Sequence, residues 1–273
     1  MTLPRTYLFV PGDRPERFAK AWASGADAVV IDLEDAVAPA AKAAARDTVR
    51  QFLDTAEATV RDRIVIRIND EHTPWYAGDL AMLLSSRAGQ VMLPKTERAE
   101  TVGHVRARCP GIAVLALVET ARGMLAAEAI AIAPGVQRLV FGTLDYALDL
   151  DLSGDPMGLD YAASRLALVS RAAGIAPPVA GVTTVLDDEA QLLADLARAR
   201  AHGFAAKLCI HPRQVTAIHT ALAPSAEELT WARRVMSAMD APGQGAGALQ
   251  LDGRMIDKPV IERARRVIDR AAR

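Results

Sequence analysis

From its first residues to about residue 220 the chain alternates short apolar runs with helix-patterned segments, and this alternation restricts the fold more than any other feature. The runs read as Tyr7–Val10, Ala28–Leu33, Ile64–Ile68, Val91–Leu93, Ala113 to Glu119, Arg138 to Asp145, Val179–Thr184 and Ala206–Ile210. Runs so uniformly apolar look like parallel strands covered on both faces. The segments between them carry helix boundaries. Asp13, with Pro15 and Glu16 after it, is expected to cap the first helix, and Gly25 to close it. Asp187 or Asp188 opens a strong helical segment that Gly203 ends. Eight such units in one stretch predict a (β/α)8 TIM barrel in preference to an open doubly wound sheet, which rarely needs eight regular repeats.

The barrel accounts for residues 1–220 and leaves residues 221–273 as a C-terminal helical tail extension. This holds a helical stretch, Ala226 to Met239, a Gly-rich link, Pro242–Gly247, the segment LDGRMID, and a helix with apolar Val260, Ala264, Val267 and Ala271. No strand precedes the glycines of the link, so they do not make a phosphate loop. Beyond that link the tail is expected to act as a lid. It can reach its own barrel's rim only by folding back, whereas a neighbour's rim is within reach if the protein assembles as a ring.

Net charge is −1 and aromatic residues are 4% of the chain, which excludes a basic, base-stacking surface for nucleic acid. Two cysteines, Cys109 and Cys209, are too few for a disulfide framework and suit a reducing compartment. No stretch approaches the roughly 20 apolar residues that cross a bilayer, and MTLPRTYLFVPG lacks the pattern of a signal peptide. A cytoplasmic protein with no membrane partner is expected.

In such barrels the active site lies at the C-terminal ends of the strands. Those ends carry Pro11-Gly12, Glu34-Asp35, Arg67 to Asn69, Lys95, Glu119, Asp145, Thr183-Thr184 and His211. Glu119 and Asp145 close neighbouring runs, so they should sit side by side. Such a pair suits Mg²⁺, which takes one or two carboxylates and leaves its other positions to water and substrate. Otherwise they cap strand ends or pair with Arg138 or Arg122. Arg67 can hold a carboxylate in a bidentate fork or face a developing oxyanion, or else bridge to Glu34 or Asp35. Lys95 stands where barrel aldolases carry a Schiff-base lysine, a role that a metal pair makes unnecessary. His211 has no second histidine at ligand spacing and is expected to pack. Arg14, Arg17 and Lys20, beside the rim, form a solvated face or meet ligand phosphates.

The segments YLFVPGDRPERFAKA, GADAVVIDLEDAVAP with Lys42 and Arg46 after it, VIRIN, MLPKTE, ALVETARG, LVFGTLD, KLCIHPRQ and DGRMIDKP occur in that order across nearly the whole chain. In them the chain resembles the citrate lyase β-subunit family, the CoA-ester lyases of the HpcH/HpaI aldolase–citrate lyase superfamily. The resemblance implies Mg²⁺ on Glu119 and Asp145, with Arg67, Glu119, Glu34 and Asp35 around the 2-oxo acid portion of the substrate. It implies that Phe9, Arg17 and Lys20 line the CoA site. It also implies that Asp257 is an acid/base residue delivered from a neighbouring subunit's tail, in a homotrimer or hexamer. Ala206 departs from the family, which usually has Gly before Lys207; this bears on how closely CoA approaches the eighth strand.

The activity so implied is retro-Claisen cleavage of a malyl-, citramalyl- or citryl-CoA type thioester to acetyl-CoA and a 2-oxo acid. Its rivals are the same cleavage on an acyl-carrier-protein thioester as a subunit of a larger complex, malyl-CoA thioester hydrolysis, and a metal-dependent aldolase acting on a free 2-oxo acid. A phosphotransferase of the phosphoenolpyruvate-binding barrels would need a nucleotide domain, of which the sequence gives no sign.

Overall fold

The computed structural model describes residues 3–239, 249–251 and 254–271. The link Pro242–Gly247 and Asp252 lie outside the described residues. Eight parallel strands, β1 (Thr6–Pro11), β2 (Ala28–Asp32), β3 (Ile64–Arg67), β4 (Gln90–Leu93), β5 (Ala113–Val118), β6 (Val136–Phe141), β7 (Ala176–Ala180) and β8 (Ala206–Cys209), close into a barrel in sequence order, with β8 pairing back to β1. Helices alternate with them: α1 (Phe18–Ala23), α2 (Lys42–Thr55), α3 (Ala58–Arg61), α4 (Tyr76–Ser85), α5 (Ala99–Arg108), α6 (Ala121–Ala131), α7 (Thr143–Asp149), α8 (Asp160–Ala172), α9 (Glu189–Ala201) and α10 (Arg213–Leu222). The TIM barrel that the alternation predicts is therefore the fold. Among the described residues no helix is long and apolar enough to cross a membrane.

Strand side chains alternate between the barrel interior and the helix layer. Tyr7, Ala28, Val30, Val65, Met92, Leu115, Leu117, Val140, Val179, Ala206 and Leu208 form the buried interior cluster. It is a packed core rather than a channel. Ala206 belongs to this cluster, so its methyl group packs in the barrel interior.

Local chemistry sets the helix ends. Asp188 caps α9 by accepting the Gln191 N–H at 2.9 Å, and Gly203 follows that helix at φ 98°, where a Cβ would be strained. Asp13 makes no such cap. A 3-10 turn, Pro15–Arg17, intervenes before α1, and no side chain caps it. The seventh strand also differs from the expected Val179–Thr184: it begins at Ala176 and runs through Pro177 and Pro178. Its ladder with β6 shifts register between Arg138 and Val140, and such an irregularity accommodates residues without a donor N–H.

A second compact unit spans residues 219–273. In it α11 (Ala226–Met239) and α12 (Lys258–Ala271) bury Ala232, Val235, Ala264 and Val267 against Ile256. Between the two helices lies an antiparallel hairpin, β9 (Leu249–Leu251) and β10 (Arg254–Ile256), whose strands are too short to show a period in the sequence.

Candidate active site at the C-terminal rim of the barrel

A cavity of about 750 Å³ opens at the C-terminal ends of the strands. Phe9, Arg17, Lys20, Asp32, Asp35, Arg67, Glu119, Asp145 and His211 all contribute to its wall. Of the rim residues singled out in the sequence, Asp35, Arg67, Glu119, Asp145 and His211 thus face one space, whereas Glu34 and Lys95 are not part of its wall and Thr183 and Thr184 line a separate cavity. Arg17, in the 3-10 turn after β1, Lys20, on α1, and His211, after β8, lie across the rim from Glu119 and Asp145 on the β5 and β6 side. His211 is half-buried on the cavity wall and accepts the Arg213 N–H through Nδ1.

Arg67 ends β3 and is the centre of an acidic cluster. Its Nε and Nη2 donate to the two oxygens of Asp32 at 2.8 and 2.6 Å. Its Nη1 lies 2.9 Å from Glu34 and 3.2 Å from Asp35. The guanidinium also stacks on Phe9, 4.8 Å from the ring centre. Burial opposes its charge, but Asp32, Glu34 and Asp35 outweigh burial and raise its pKa. Asp32 was not foreseen as a site residue because it sits inside the apolar run AVVIDL. It also accepts the Glu34 and Ala36 N–H groups, which fixes the loop that carries the other two acids. Burial, helped by Asp35 and Asp32 and opposed by Arg67, pushes Glu34 up to about 7.

Glu119 is buried at the end of β5. Its Oε1 accepts the backbone N–H of Lys95 at 2.7 Å, and Lys95 adopts φ 43° to present that donor. The other oxygen is boxed in by Gly142, where an added Cβ would lie 2.3 Å from it. Burial, with Glu34 and Asp145 nearby, pushes the Glu119 carboxyl up to about 8. Asp145 is exposed and lies in the first turn of α7 rather than at the strand end, because β6 stops at Phe141. Neither acid has the arginine partner considered for it. Arg122 lies 3.6 Å from Glu97, and Arg138 points into the opposite end of the barrel.

This donor set fits a hard divalent cation. Two carboxylates face one cavity, and one of them is buried beside like charges that a cation would offset. Among the described residues no group of three or more His, Cys, Asp or Glu gathers to hold a metal. Two carboxylates are fewer than a closed zinc cage uses, and on a Mg²⁺ ion they would leave most positions to water and substrate. Lys95 does not suit Schiff-base chemistry. Burial works against its charge, but Glu34, Glu119, Asp70 and Asp35 raise its pKa, whereas a nucleophilic amine needs a lowered one.

Behind the rim, Lys42 is buried and donates to the carbonyls of Leu33 and Glu34 and to Asn69 Oδ1, at 2.8, 2.7 and 2.6 Å. It ties the start of α2 to the ends of β2 and β3. In the tail unit Asp257 is exposed, and its Oδ1 accepts the Val260 N–H at 3.1 Å, capping α12.

A closed (β/α)8 barrel with a guanidinium and a carboxylate pair at its C-terminal rim defines the class. Comparison with known proteins gives the family. The model of the HpcH/HpaI aldolase/citrate lyase family matches residues 5–212, and that of the C–C bond lyases of the TIM-barrel fold matches residues 166–273. The chain belongs to the HpcH/HpaI aldolase/citrate lyase family, as the ordered motifs implied. It is 37% identical over 280 residues to a citrate lyase subunit beta-like protein of Deinococcus radiodurans, covering 99% of this chain and 98% of that one. It is 35% identical over 270 residues to a (3S)-malyl-CoA thioesterase of Cereibacter sphaeroides, covering 98% and 94%. Among solved structures, CitE from Mycobacterium tuberculosis in complex with magnesium, acetoacetate and coenzyme A superimposes with a TM-score of 0.87 at 36% identity, covering 99% and 98%.

Proposed function

We propose that the protein is a Mg²⁺-dependent carbon–carbon lyase that cleaves a 3-hydroxyacyl-CoA of the malyl-, citramalyl- or citryl-CoA type into acetyl-CoA and a 2-oxo acid. The observation that carries this reading is the meeting of Arg67, Glu119 and Asp145 in one cavity, with Arg17 and Lys20 on the facing side of the rim. Solved CitE proteins with magnesium and pyruvate, and with oxaloacetate and magnesium, support the metal and the oxo acid.

Glu119 and Asp145 would hold Mg²⁺, which would supply a Lewis acid for the substrate oxygen that becomes the carbonyl. Arg67 faces the same oxygen and stabilises its negative charge as the alcohol becomes a carbonyl. The hydroxyl proton passes to solvent water, and the bond between the carbinol carbon and the thioester α-carbon breaks. Its electron pair passes to the thioester as an enolate. Asp257, from the tail of a neighbouring subunit in a homo-oligomeric ring, returns a proton to the α-carbon and gives acetyl-CoA. Arg17 and Lys20 hold the CoA phosphates, and Phe9 lies along the thioester arm.

Incubation with Mg²⁺ and malyl-, citramalyl- or citryl-CoA tests the reading. Release of a 2-oxo acid with acetyl-CoA supports it. Free CoA with an intact hydroxy acid supports instead the thioesterase reading, which the 35% identity to the Cereibacter sphaeroides enzyme favours. Asp257→Asn should lower kcat by about 10²–10⁴-fold with substrate still bound. Mixing Asp257→Asn subunits with Arg67→Ala subunits should restore part of the activity. No recovery after demonstrated subunit exchange would remove the shared-site arrangement.

A further inference from the structure

The chain has five lysines, and the fold satisfies its two buried ones in opposite ways. The Lys42 ammonium has three acceptors, the Leu33 and Glu34 carbonyls and Asn69 Oδ1, one for each of its protons. Lys207 has one acceptor among the described residues, the Gly181 carbonyl at 2.7 Å, and no ion pair there. The carboxylate that acts on it, Asp195 of α9, is itself engaged. It accepts from Thr183 Oγ1 at 2.5 Å and from Gln191 Nε2 at 2.7 Å. Two N–H positions of the Lys207 ammonium are left without a protein acceptor.

Ala206 and Leu208 point into the barrel interior, so Lys207 points outward to the helix layer. There it lines a second cavity of about 400 Å³. Thr143, Leu144, Gly181 and Val182 stand between this cavity and the one at the rim, and border both. Phe141, Leu152, Leu159, Ala163, Ala199 and Phe204 give the second cavity a largely apolar wall. Its charged groups hold one another. Arg198 binds Asp160 in a fork at 2.9 and 2.8 Å, and His202 Nε2 lies 2.8 Å from the same carboxylate.

An ammonium is poorly solvated in such a place. Burial lowers the Lys207 pKa to about 8, which makes part of the amine neutral and nucleophilic near neutral pH. A protonated imine carries a single N–H, enough for the Gly181 carbonyl. The same change at Lys42 would leave two acceptors unpaired. An anionic carbonyl compound would bring its charge beside Asp155, Asp160 and Asp195, with Arg198 and His202 already engaged. A neutral aldehyde with a hydrocarbon chain avoids that cost and buries the chain.

The geometry points to Lys207 as an imine-forming lysine and to the second cavity as its binding site for short apolar aldehydes. The ammonium first gives one proton to water. The amine lone pair adds to the carbonyl carbon, the C=O π pair moves to oxygen, and a proton shifts from nitrogen to that oxygen, giving a carbinolamine. The proton comes back from water and the hydroxyl leaves as a water molecule, while the nitrogen lone pair forms the C=N bond of the protonated imine. Charge is conserved, and no oxidant or reductant takes part. This site is independent of the lyase reading and stands or falls whatever thioester the rim takes.

Incubation of the full-length protein with hexanal and cyanoborohydride, which reduces an imine to a stable secondary amine, tests the proposal. Mass spectrometry of peptides locates the alkylated lysines. At about pH 7.5 Lys207 should react about tenfold or more faster than exposed Lys20 and Lys258, and Lys42 should stay unmodified. Alkylation of Lys207 no faster than that of the exposed lysines overturns the proposal. Relative to Lys258, glyoxylate should alkylate Lys207 about tenfold or more slowly than hexanal does, and equal relative rates overturn the apolar class. Two further measurements test the cavity as the route. Saturating 1-hexanol, which has the chain but no carbonyl, should slow alkylation of Lys207 alone by about threefold or more. Ala199→Leu, which adds side-chain volume at the cavity wall, should slow it by a similar factor, with the melting temperature unchanged. Full-rate alkylation of Lys207 under hexanol overturns the assignment of the cavity, as does full-rate alkylation in the folded variant.

Discussion

Arg67 and Arg138 occupy opposite ends of one barrel and are satisfied in opposite ways. Arg67, at the C-terminal rim, is surrounded by carboxylates: Asp32, Glu34 and Asp35. Arg138, near the N-terminal end of β6, has neutral partners: the carbonyls of Pro4 and Pro177 and the hydroxyl of Tyr7. The first arrangement has more negative charge than it needs and lies open to a cavity. The second satisfies one buried cation with main-chain oxygens and seals the barrel floor. An excess of charge facing solvent and substrate is costly to hold and is a mark of function. A cation satisfied by carbonyls closes a packing problem, and its loss should appear in stability instead.

The largest effects should follow changes at the rim. Glu119→Gln or Asp145→Asn should remove Mg²⁺-dependent activity, by about 10³-fold or more if the metal supplies the Lewis acid. The melting temperature measured in EDTA should not fall for Glu119→Gln, because the amide replaces a buried carboxylate that has acidic neighbours. Full activity of the unmodified protein in EDTA would sink the metal assignment. Arg67→Lys keeps the charge but loses the fork to Asp32 and the stacking on Phe9, and should cost about 10²–10³-fold in kcat. Unchanged kcat and KM would take Arg67 out of the site.

The floor should behave the other way. Arg138→Met keeps most of the side-chain volume but leaves the two carbonyls and the Tyr7 hydroxyl without their donor. A loss of about 3 kcal/mol in unfolding free energy is expected, with kcat per folded molecule unchanged. Chemical denaturation together with active-site titration would check both halves. A drop in kcat at full stability would mean that the two ends of the barrel are coupled and that the contrast drawn above is wrong.

Much of this was legible because strand interiors are apolar and strand ends are not. The eight runs, the rim acids and Arg67 stood out as departures from hydrophobic continuity. What escaped notice was the charged residue inside a run. Asp32 in AVVIDL and Lys207 in AKLCI were absorbed into strands, and Arg138 in RLVF was weighed only as a partner of the rim acids, yet all three are buried. A buried ionised group is expensive unless it is paired, so its presence in a strand was itself the signal. The start of β7 was hidden for another reason: Pro177 and Pro178 imitate a loop, and only the register shift against β6 shows how a strand holds them. The reach of the tail was not legible from spacing, because capping of α12 by Asp257 and delivery of a proton by it require the same residue at the same position.

The finest test of the contrast uses a carbonyl-held cation that can release its proton, as arginine cannot. Lys207 is buried in β8 and donates to the Gly181 carbonyl at 2.7 Å. Burial pushes its amine down to about 8, although Asp195 and Cys209 favour the charged form. Below that pH both folded and unfolded chains hold the proton, and the penalty of burying an ammonium is fully present. As pH rises from about 8 toward the ordinary lysine value of 10.5, the unfolded chain keeps the proton that the folded chain has released. The share of stability due to Lys207 must therefore rise with pH across that window, by at most about 1.4 kcal/mol per pH unit. Cys209, whose thiol burial pushes up to about 12, contributes in the opposite direction, but it is present in both proteins of a Lys207→Met comparison and largely cancels. Urea unfolding of the two proteins at several pH values between 7 and 10 should show the wild type gaining on the variant as pH increases. A constant difference would mean that Lys207 stays charged in the fold, held by its neighbours as firmly as Arg67 is held by its acids.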